Sequence, residues 1–245
     1  MTDAVLPAGC FCERELRVGN VTGRAWSLFS QNFLPFFVVT AAAAIPQAAA
    51  GTVGDPFEAL HVEGLGPLLG LVLSPLSQAV VLYGAFQAMR GERVNLAESM
   101  RAGLRRFLPV IGVTIVVTLL GVLGLIAFVV PGLICFTKWF VAIPACVVEQ
   151  RGMFASLERS GELTRGHRWK VFSLILLWFC VDATADQMLG LVSTSVGDGI
   201  PAFAAHVIWS GAWGAIYAIA AVVTYHDLRA AKEGVDLEQI AAVFE

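Results

Sequence analysis

Uncharged apolar stretches alternate with short charged segments along the whole chain. Six of these stretches approach or exceed the length that a helix needs to cross a hydrocarbon layer roughly 30 Å thick. We place the predicted spans at residues 33–50, 64–89, 107–130, 132–148, 171–192 and 202–225. Pro131-Gly132 predicts a tight hairpin between the third and fourth spans, because proline disfavours the α conformation in the preceding residue and glycine turns freely.

Three charged segments show the 3.6-residue period of amphipathic helices, at residues 16–32, 94–106 and 153–166. Each carries apolar side chains on one face and polar or charged side chains on another, so we expect these helices to lie at the membrane surface. A further apolar stripe at Leu237, Ile240, Ala241 and Phe244 predicts a tail helix over residues 236–244, behind a capping pattern that begins at Asp236.

The distribution of cations predicts the orientation of the chain. Fifteen of the sixteen Lys and Arg residues lie before the first span, after the last, or between spans two and three and spans four and five. Cytoplasmic segments of membrane proteins carry this excess of cations. The fold class that we predict is therefore an all-α polytopic integral membrane protein, a single domain over residues 1–245. Its six transmembrane helices form three hairpins, and its termini and amphipathic interfacial helices are cytoplasmic.

The same alternation predicts an internal threefold repeat. Each unit consists of an amphipathic helix, a span that leads out and a span that leads back. The joints after spans two and four also resemble each other, since Arg90-Gly91 and Arg151-Gly152 precede the second and third amphipathic helices.

Composition supports a membrane protein and excludes several other classes. Hydrophobic residues make up 57% of the chain and charged residues 14%, with a mean hydropathy of +0.74, whereas soluble domains average about 25% charged residues. The net charge of −3 implies no basic surface for nucleic acid. The five cysteines are an odd number with three inside apolar stretches, which is no disulfide framework. We expect no cofactor and no metal site.

The segment from Pro131 to Phe172 and the tail from Tyr225 to Gly234 carry the most specific residue pattern. The positions that define it in the first segment are Pro131, Gly132, Trp139, Phe140, Pro144, Glu149, Gly152, Leu157, Arg159, Ser160, Leu163, Thr164, Gly166 and Trp169. This pattern resembles the YciC-like group of bacterial membrane proteins, allied to the membrane domain of glycerophosphoryl diester phosphodiesterases. The resemblance implies a six-helix protein of the bacterial inner membrane without a defined molecular activity. The phosphodiesterase activity of fused relatives does not carry over, because no such catalytic domain is present.

Ionisable residues inside spans are candidates for function because they are costly to place in lipid. Lys138 in the fourth span and Asp186 in the fifth lie a similar number of residues from the outer ends of their spans, so they can lie at the same depth in the membrane. Asp182 lies one turn from Asp186, and His206 of the sixth span can join them. One interpretation is a polar relay or ligand site built by Lys138, Asp182, Asp186 and His206. The other is a structural ion pair that holds spans four and five together.

The charged joint around Glu149, Arg159 and Arg165 also has two interpretations, a solvated patch that faces lipid headgroups and a docking face for a soluble partner. The motifs of zinc proteases, serine hydrolases and nucleotide-binding loops are absent, so we predict no catalytic residues. Three hypotheses follow: a non-enzymatic lipid-associated or envelope-supporting membrane protein, a transporter component that uses the Lys/Asp cluster, and an unrecognised membrane enzyme. The expected partners are anionic lipid headgroups and a second copy or another membrane protein, and no nucleic acid.

Overall fold

A computed structural model describes residues 18–52, 65–150, 152–196 and 200–233, and every regular element among them is helical. Residues 16 and 17 of the first predicted amphipathic helix and the predicted tail helix over residues 236–244 lie outside the described residues. The described part contains ten helices. They are α1 (Val18–Gln31), α2 (Phe33–Thr52), α3 (Leu65–Met89), α4 (Leu96–Arg105), α5 (Phe107–Ala127), α6 (Val129–Trp139), α7 (Ala142–Val148), α8 (Met153–Thr164), α9 (Arg168–Val196) and α10 (Ile200–Glu233).

Five of these segments are long and apolar enough to cross a membrane: α3, α5, the pair α6–α7, α9 and α10. The pair α1–α2, which bends by 93° at Asn32, makes a sixth if it is counted as one span. The chain is thus all-helical over its described residues, with the five to six apolar helices of a multi-pass membrane protein. The two last spans are longer than predicted, since α9 begins at Arg168 and α10 continues to Glu233.

The hairpin between α5 and α6 turns at Phe128 and not at Pro131-Gly132 as the sequence predicted. Phe128 is extended (φ −161°, ψ 140°), and Pro131 lies in the first turn of α6, where its missing N–H leaves no hydrogen bond unmade. Gly132 instead permits close packing, because a Cβ added there would lie 2.5 Å from Cγ of Leu125.

The predicted fourth span consists of two helices, α6 and α7, separated by a break at Phe140 and Val141. The break frees the carbonyl of Lys138, which accepts hydrogen bonds from Ser160 Oγ at 2.8 Å and Thr164 Oγ1 at 3.2 Å. Hydroxyl side chains of a neighbouring helix commonly satisfy backbone groups at breaks of this kind. The third amphipathic helix is therefore fixed against the middle of the fourth span.

The helices follow a cyclic packing order that agrees with the threefold repeat predicted from the sequence. The three amphipathic helices α1, α4 and α8 are called the short helices below. Each of them packs on the returning span of the unit before it: α4 on α3, α8 on α6 and α7, and α1 on α10. The outgoing spans repeat this order, with α5 on α3, α9 on α6 and α2 on α10. The returning helices α3, α7 and α10 contact one another at the centre, where Leu82, Val141 and Ile219 are fully buried.

The short helices present apolar side chains away from this centre. In α4 the residues that pack inward are Ser99 and Gly103, while an apolar stripe formed by Leu96, Met100 and Leu104 is exposed. An amphipathic helix that lies at a membrane surface turns this stripe towards lipid. The two Arg-Gly joints differ in backbone, since Gly91 has a φ of +76° but the left-handed residue of the second joint is Gln150.

Candidate functional site

Glu149 and Arg159 form the centre of a buried polar cluster where α7, α8 and α10 meet. Arg159 Nε donates to Glu149 Oε1 at 2.8 Å, and Tyr225 Oη donates to the same oxygen at 2.7 Å. The side chains of Arg159 and Glu149 are only 15% and 9% exposed. These two residues therefore form an internal ion pair and not the solvated patch that one interpretation of the sequence expected.

The last turn of α10 completes this cluster. Glu233 accepts a hydrogen bond from Arg159 and a second from Arg229 Nε at 2.8 Å. We call Glu149, Arg159, Tyr225, Arg229 and Glu233 the hub. Burial alone would lower the pKa of Arg159, but its hydrogen bonds to Glu233 and Glu149 raise that pKa above the ordinary arginine value. The hub fixes α8 to α7 and α10, and its charges are compensated within the protein.

The other two short helices are attached to returning spans by polar contacts of the same kind. Arg24 of α1 contacts Asp227 of α10 at 2.5 Å. Glu98 of α4 accepts hydrogen bonds from Tyr83 Oη at 3.1 Å and Gln87 Nε2 at 3.0 Å, both on α3. In each unit a charged side chain of the short helix thus meets a polar or charged group of the returning span before it. The hub is the most extensive of these three attachments.

An open cleft of about 550 Å³ lies on the other side of α8, between α6 and the start of α9. We call it the α8 cleft, and it is lined by Lys138, Glu158, Gly161, Glu162, Arg165, Gly166 and Arg168. Three cations and two carboxylates thus share one cleft. Among the described residues, none of the three cations lies within 4 Å of a carboxylate oxygen.

Lys138 reaches this cleft because α8 carries glycine opposite it. A Cβ added at Gly161 would lie 2.8 Å from Cε of Lys138, so the lysine stem lies directly on the backbone of α8. The ammonium group lies 5.4 Å from the centre of the Trp139 ring, a cation–π distance. Gly166, with φ +92°, forms the turn that brings Arg168 to the same cleft.

The structure does not bring Lys138 together with the two predicted aspartates. Arg168 lines the cleft with Lys138, and Asp182 lies fourteen residues further along the continuous helix α9, which is about 21 Å at the α-helical rise. Residue numbers along the spans indicate depth only, and they do not reveal that α8 folds back beside α6 and separates Lys138 from the aspartates. Lys138 and the aspartates therefore occupy separate parts of the molecule.

Asp182 and Asp186 lie one turn apart on α9, but no contact among the described residues joins either of them to His206 of α10. Asp182 lies beside Asp186 and the indole of Trp209, and His206 Nε2 lies 3.5 Å from Ser210 Oγ. Asp186 and His206 are exposed on the helix surfaces. Within the described residues there is no group of three His, Cys, Asp or Glu side chains that could hold a metal ion.

The remaining positions of the sequence pattern have packing roles around α8. Pro144 is buried inside α7, and Gly152 is the N-cap residue of α8. Trp169, at the start of α9, is 82% exposed and packs edge-to-face on Phe172. Aromatic residues at this kind of position are typical of the membrane–water boundary. Most of the pattern from Trp139 onward therefore lies in or around α8, between the hub and the cleft, whereas Pro131 and Gly132 belong to the α5–α6 hairpin.

The sequence did not assign Glu158, Glu162 and Arg168 to the cleft or Tyr225, Arg229 and Glu233 to the hub. Glu158 and Glu162 line the cleft, and Glu233 completes the hub. The spacing of Glu158, Glu162 and Arg165, at i, i+4 and i+7, could have indicated one charged face of α8. No signal in the sequence indicates that Glu233, which lies 74 positions from Arg159, meets it in space.

The comparisons with known proteins assign no activity. A family model described as Domain of unknown function (DUF7847) matches residues 110–226, from α5 to the buried end of α10. That region includes the cleft and all of the hub except Arg229 and Glu233. No curated protein and no solved structure matches the chain. The resemblance to the YciC-like group stays a prediction.

Proposed function

We propose that this chain is a non-enzymatic protein of the bacterial inner membrane that associates with phospholipid and supports the envelope. In this proposal it crosses the membrane six times, with α1–α2 as the first span and both termini in the cytoplasm. The observation that carries it is the placement of the three short helices, which are fixed to returning spans, expose apolar side chains and, in α4, expose cations as well.

The outward side chains have the composition of a surface that contacts anionic lipid headgroups. On α4, Arg101 and Arg105 are exposed next to the exposed Met100 and Leu104. Phe154 of α8 is likewise exposed. Each cation near an anionic membrane surface contributes about 1 kcal/mol of attraction, so several of them hold a shell of lipid around the protein.

Native mass spectrometry of the full-length protein after extraction in a mild detergent tests this function. We expect retained phospholipid on the wild-type protein and less of it on the Arg101→Gln/Arg105→Gln variant. The matched control is Glu92→Gln, an exposed change at the same joint that removes no cation. Wild-type protein that retains no phospholipid, or a double variant that retains as much as the wild type, would contradict the proposal.

A transporter component is the second candidate, and the two carboxylates of Asp182 and Asp186 within the apolar helix α9, next to Trp209 of α10, are the observation that favours it. Carboxylates within apolar helices commonly belong to ion pathways. Lys138 is not part of this group, so the candidate depends on the α9–α10 pair alone. Solute uptake by proteoliposomes that falls in Asp182→Asn but not in Lys138→Gln would favour this second candidate.

A further inference from the structure

The α8 cleft contains both signs of charge, and its charged groups are not neutralised by each other. Lys138, Arg165 and Arg168 form no ion pair with the described residues, and neither does Glu158. The carboxylate of Glu162 has a 3.8 Å contact with Arg159 from the hub side, and its backbone carbonyl accepts a hydrogen bond from Lys232. Charged groups of an open cleft that form no close ion pair with each other can form charge-assisted hydrogen bonds to a ligand.

The charges in the cleft have a definite order. Glu158, Glu162 and Arg165 follow one another along one face of α8, and Arg168 lies beyond Gly166 at the start of α9. The carboxylates therefore precede the two arginines: Glu158 lies in the middle of α8, Glu162 lies in its last turn, and Arg165 and Arg168 follow its end. The positive end of the α9 helix dipole adds to the arginine end, since α9 begins at Arg168.

We propose that this cleft binds the phosphoethanolamine headgroup of a membrane phospholipid. Arg165, Arg168 and Lys138 hold the phosphate, and Glu158 and Glu162 accept hydrogen bonds from the primary ammonium. This inference rests on the proposed lipid association and adds to it a specific site and a specific headgroup.

The two carboxylates decide between this headgroup and its common alternatives. A headgroup that carries only negative charge leaves Glu158 and Glu162 unpaired and repels them. A choline headgroup carries a positive charge but no N–H, so it cannot donate hydrogen bonds to the carboxylates. A primary ammonium satisfies both requirements, because charge-assisted hydrogen bonds to carboxylates are among the strong ones in proteins.

The surroundings of the cleft indicate a lipid and not a free phosphoester. Trp169 is the residue after Arg168, and it is 82% exposed beside Phe172. Further along α9, Leu176, Leu177 and Phe179 are also exposed. A headgroup held in the cleft therefore lies at the head of an apolar helix surface, where the acyl chains of the same molecule can pack.

The test uses full-length protein, delipidated in mild detergent, with added phospholipids of identical acyl chains. Native mass spectrometry compares the binding of phosphatidylethanolamine, phosphatidylglycerol and phosphatidylcholine. Glycerophosphoethanolamine, which has the same headgroup but no acyl chains, serves as a soluble competitor. We expect phosphatidylethanolamine to bind at least tenfold more tightly than either other lipid. The soluble competitor should displace it only at far higher concentration. Equally tight binding of phosphatidylglycerol and phosphatidylethanolamine would overturn the proposal. Equally tight binding of the soluble competitor and phosphatidylethanolamine would overturn the claim that the ligand is a lipid.

Variants separate the two ends of the cleft. Glu158→Gln/Glu162→Gln should lose the preference for phosphatidylethanolamine over phosphatidylglycerol, while Arg165→Gln/Arg168→Gln should weaken binding of both lipids. These four side chains are exposed, and thermal unfolding in detergent confirms that each variant is folded. An unchanged lipid preference in the glutamate variant would refute the assignment of the ammonium.

The matched control is Arg101→Gln/Arg105→Gln, which removes two exposed arginines of α4 outside the cleft. This control should keep the tenfold preference and lose only part of the total retained lipid. Wild-type protein that retains phospholipid without headgroup preference would refute the site but leave the lipid association in place. Protein that retains no phospholipid would refute both.

Discussion

Replacing Arg159 with glutamine tests whether the hub holds α8 in place. The change removes the charge that Glu149 and Glu233 share. Glu149 is 9% exposed, so its carboxylate would stay largely buried without the guanidinium. The hydrogen bond from Tyr225 Oη would remain as partial compensation.

The expected loss of stability follows from this partial compensation. Removal of one partner from a buried ion pair typically costs about 3–5 kcal/mol. Because Tyr225 still donates to Glu149 and Arg159 is 15% exposed, we expect a loss of about 2–4 kcal/mol. Arg159→Lys should lie between the wild type and Arg159→Gln, since it keeps the charge but loses the planar guanidinium that serves two carboxylates.

Thermal unfolding in detergent, with hydrogen exchange in α7 and α8 as a local readout, measures this effect. Arg93→Gln is the matched control, because Arg93 is exposed, lies outside the hub and the cleft, and forms no ion pair among the described residues. We expect this control to change stability by less than about 0.5 kcal/mol. If Arg159→Gln were as stable as the control, with unchanged exchange in α8, the hub would not hold the helix.

Two further predictions concern the packing of α5, α6 and α8. Gly124→Leu should destabilise the protein by about 1–3 kcal/mol, because a Cβ at Gly124 would lie 2.9 Å from the backbone of Gly132. The control in the same thermal unfolding assay is Gly152→Ala, since Gly152 has open space around it. Equal Tm values for the two variants would contradict the close approach of α5 and α6. Ser160→Ala/Thr164→Val should lower the free energy of unfolding by about 1–3 kcal/mol and speed hydrogen exchange around the break after Trp139, because the Lys138 carbonyl loses both donors. Unchanged hydrogen exchange there would contradict the role of the two hydroxyl groups at the break.

Long uncharged stretches made the apolar helices predictable. Residues 107–130 contain no charge, and α5 occupies Phe107–Ala127 of them. The turn was misplaced by three residues because Pro131 is compatible with either the end of one helix or the first turn of the next. The spacing of side chains cannot distinguish these two positions, whereas the packing of Gly132 on Leu125 can.

The sites depend on contacts between parts of the chain that are distant in sequence. Glu149 and Arg159 were identified as part of a charged joint, but their burial depends on Tyr225 and Glu233 of α10. The apolar period of residues 153–166 grouped Phe154 with Leu157 and Gly161, but the structure exposes Phe154 and buries Leu157 and Gly161 together with Ser156 and Ser160. Small polar residues carry no hydrophobic signal, so periodicity alone does not reveal a helix that packs through them.

Cysteine accessibility in intact cells tests the central claim, the six-span arrangement with all short helices on the cytoplasmic side. In a background without native cysteines, Glu92→Cys and Glu158→Cys mark two of the charged joints, and Asp55→Cys and Asp198→Cys mark two of the opposite loops. We expect a membrane-impermeant maleimide to label positions 55 and 198 in intact cells, and positions 92 and 158 only after permeabilisation. Labelling of position 92 or 158 in intact cells would contradict the account.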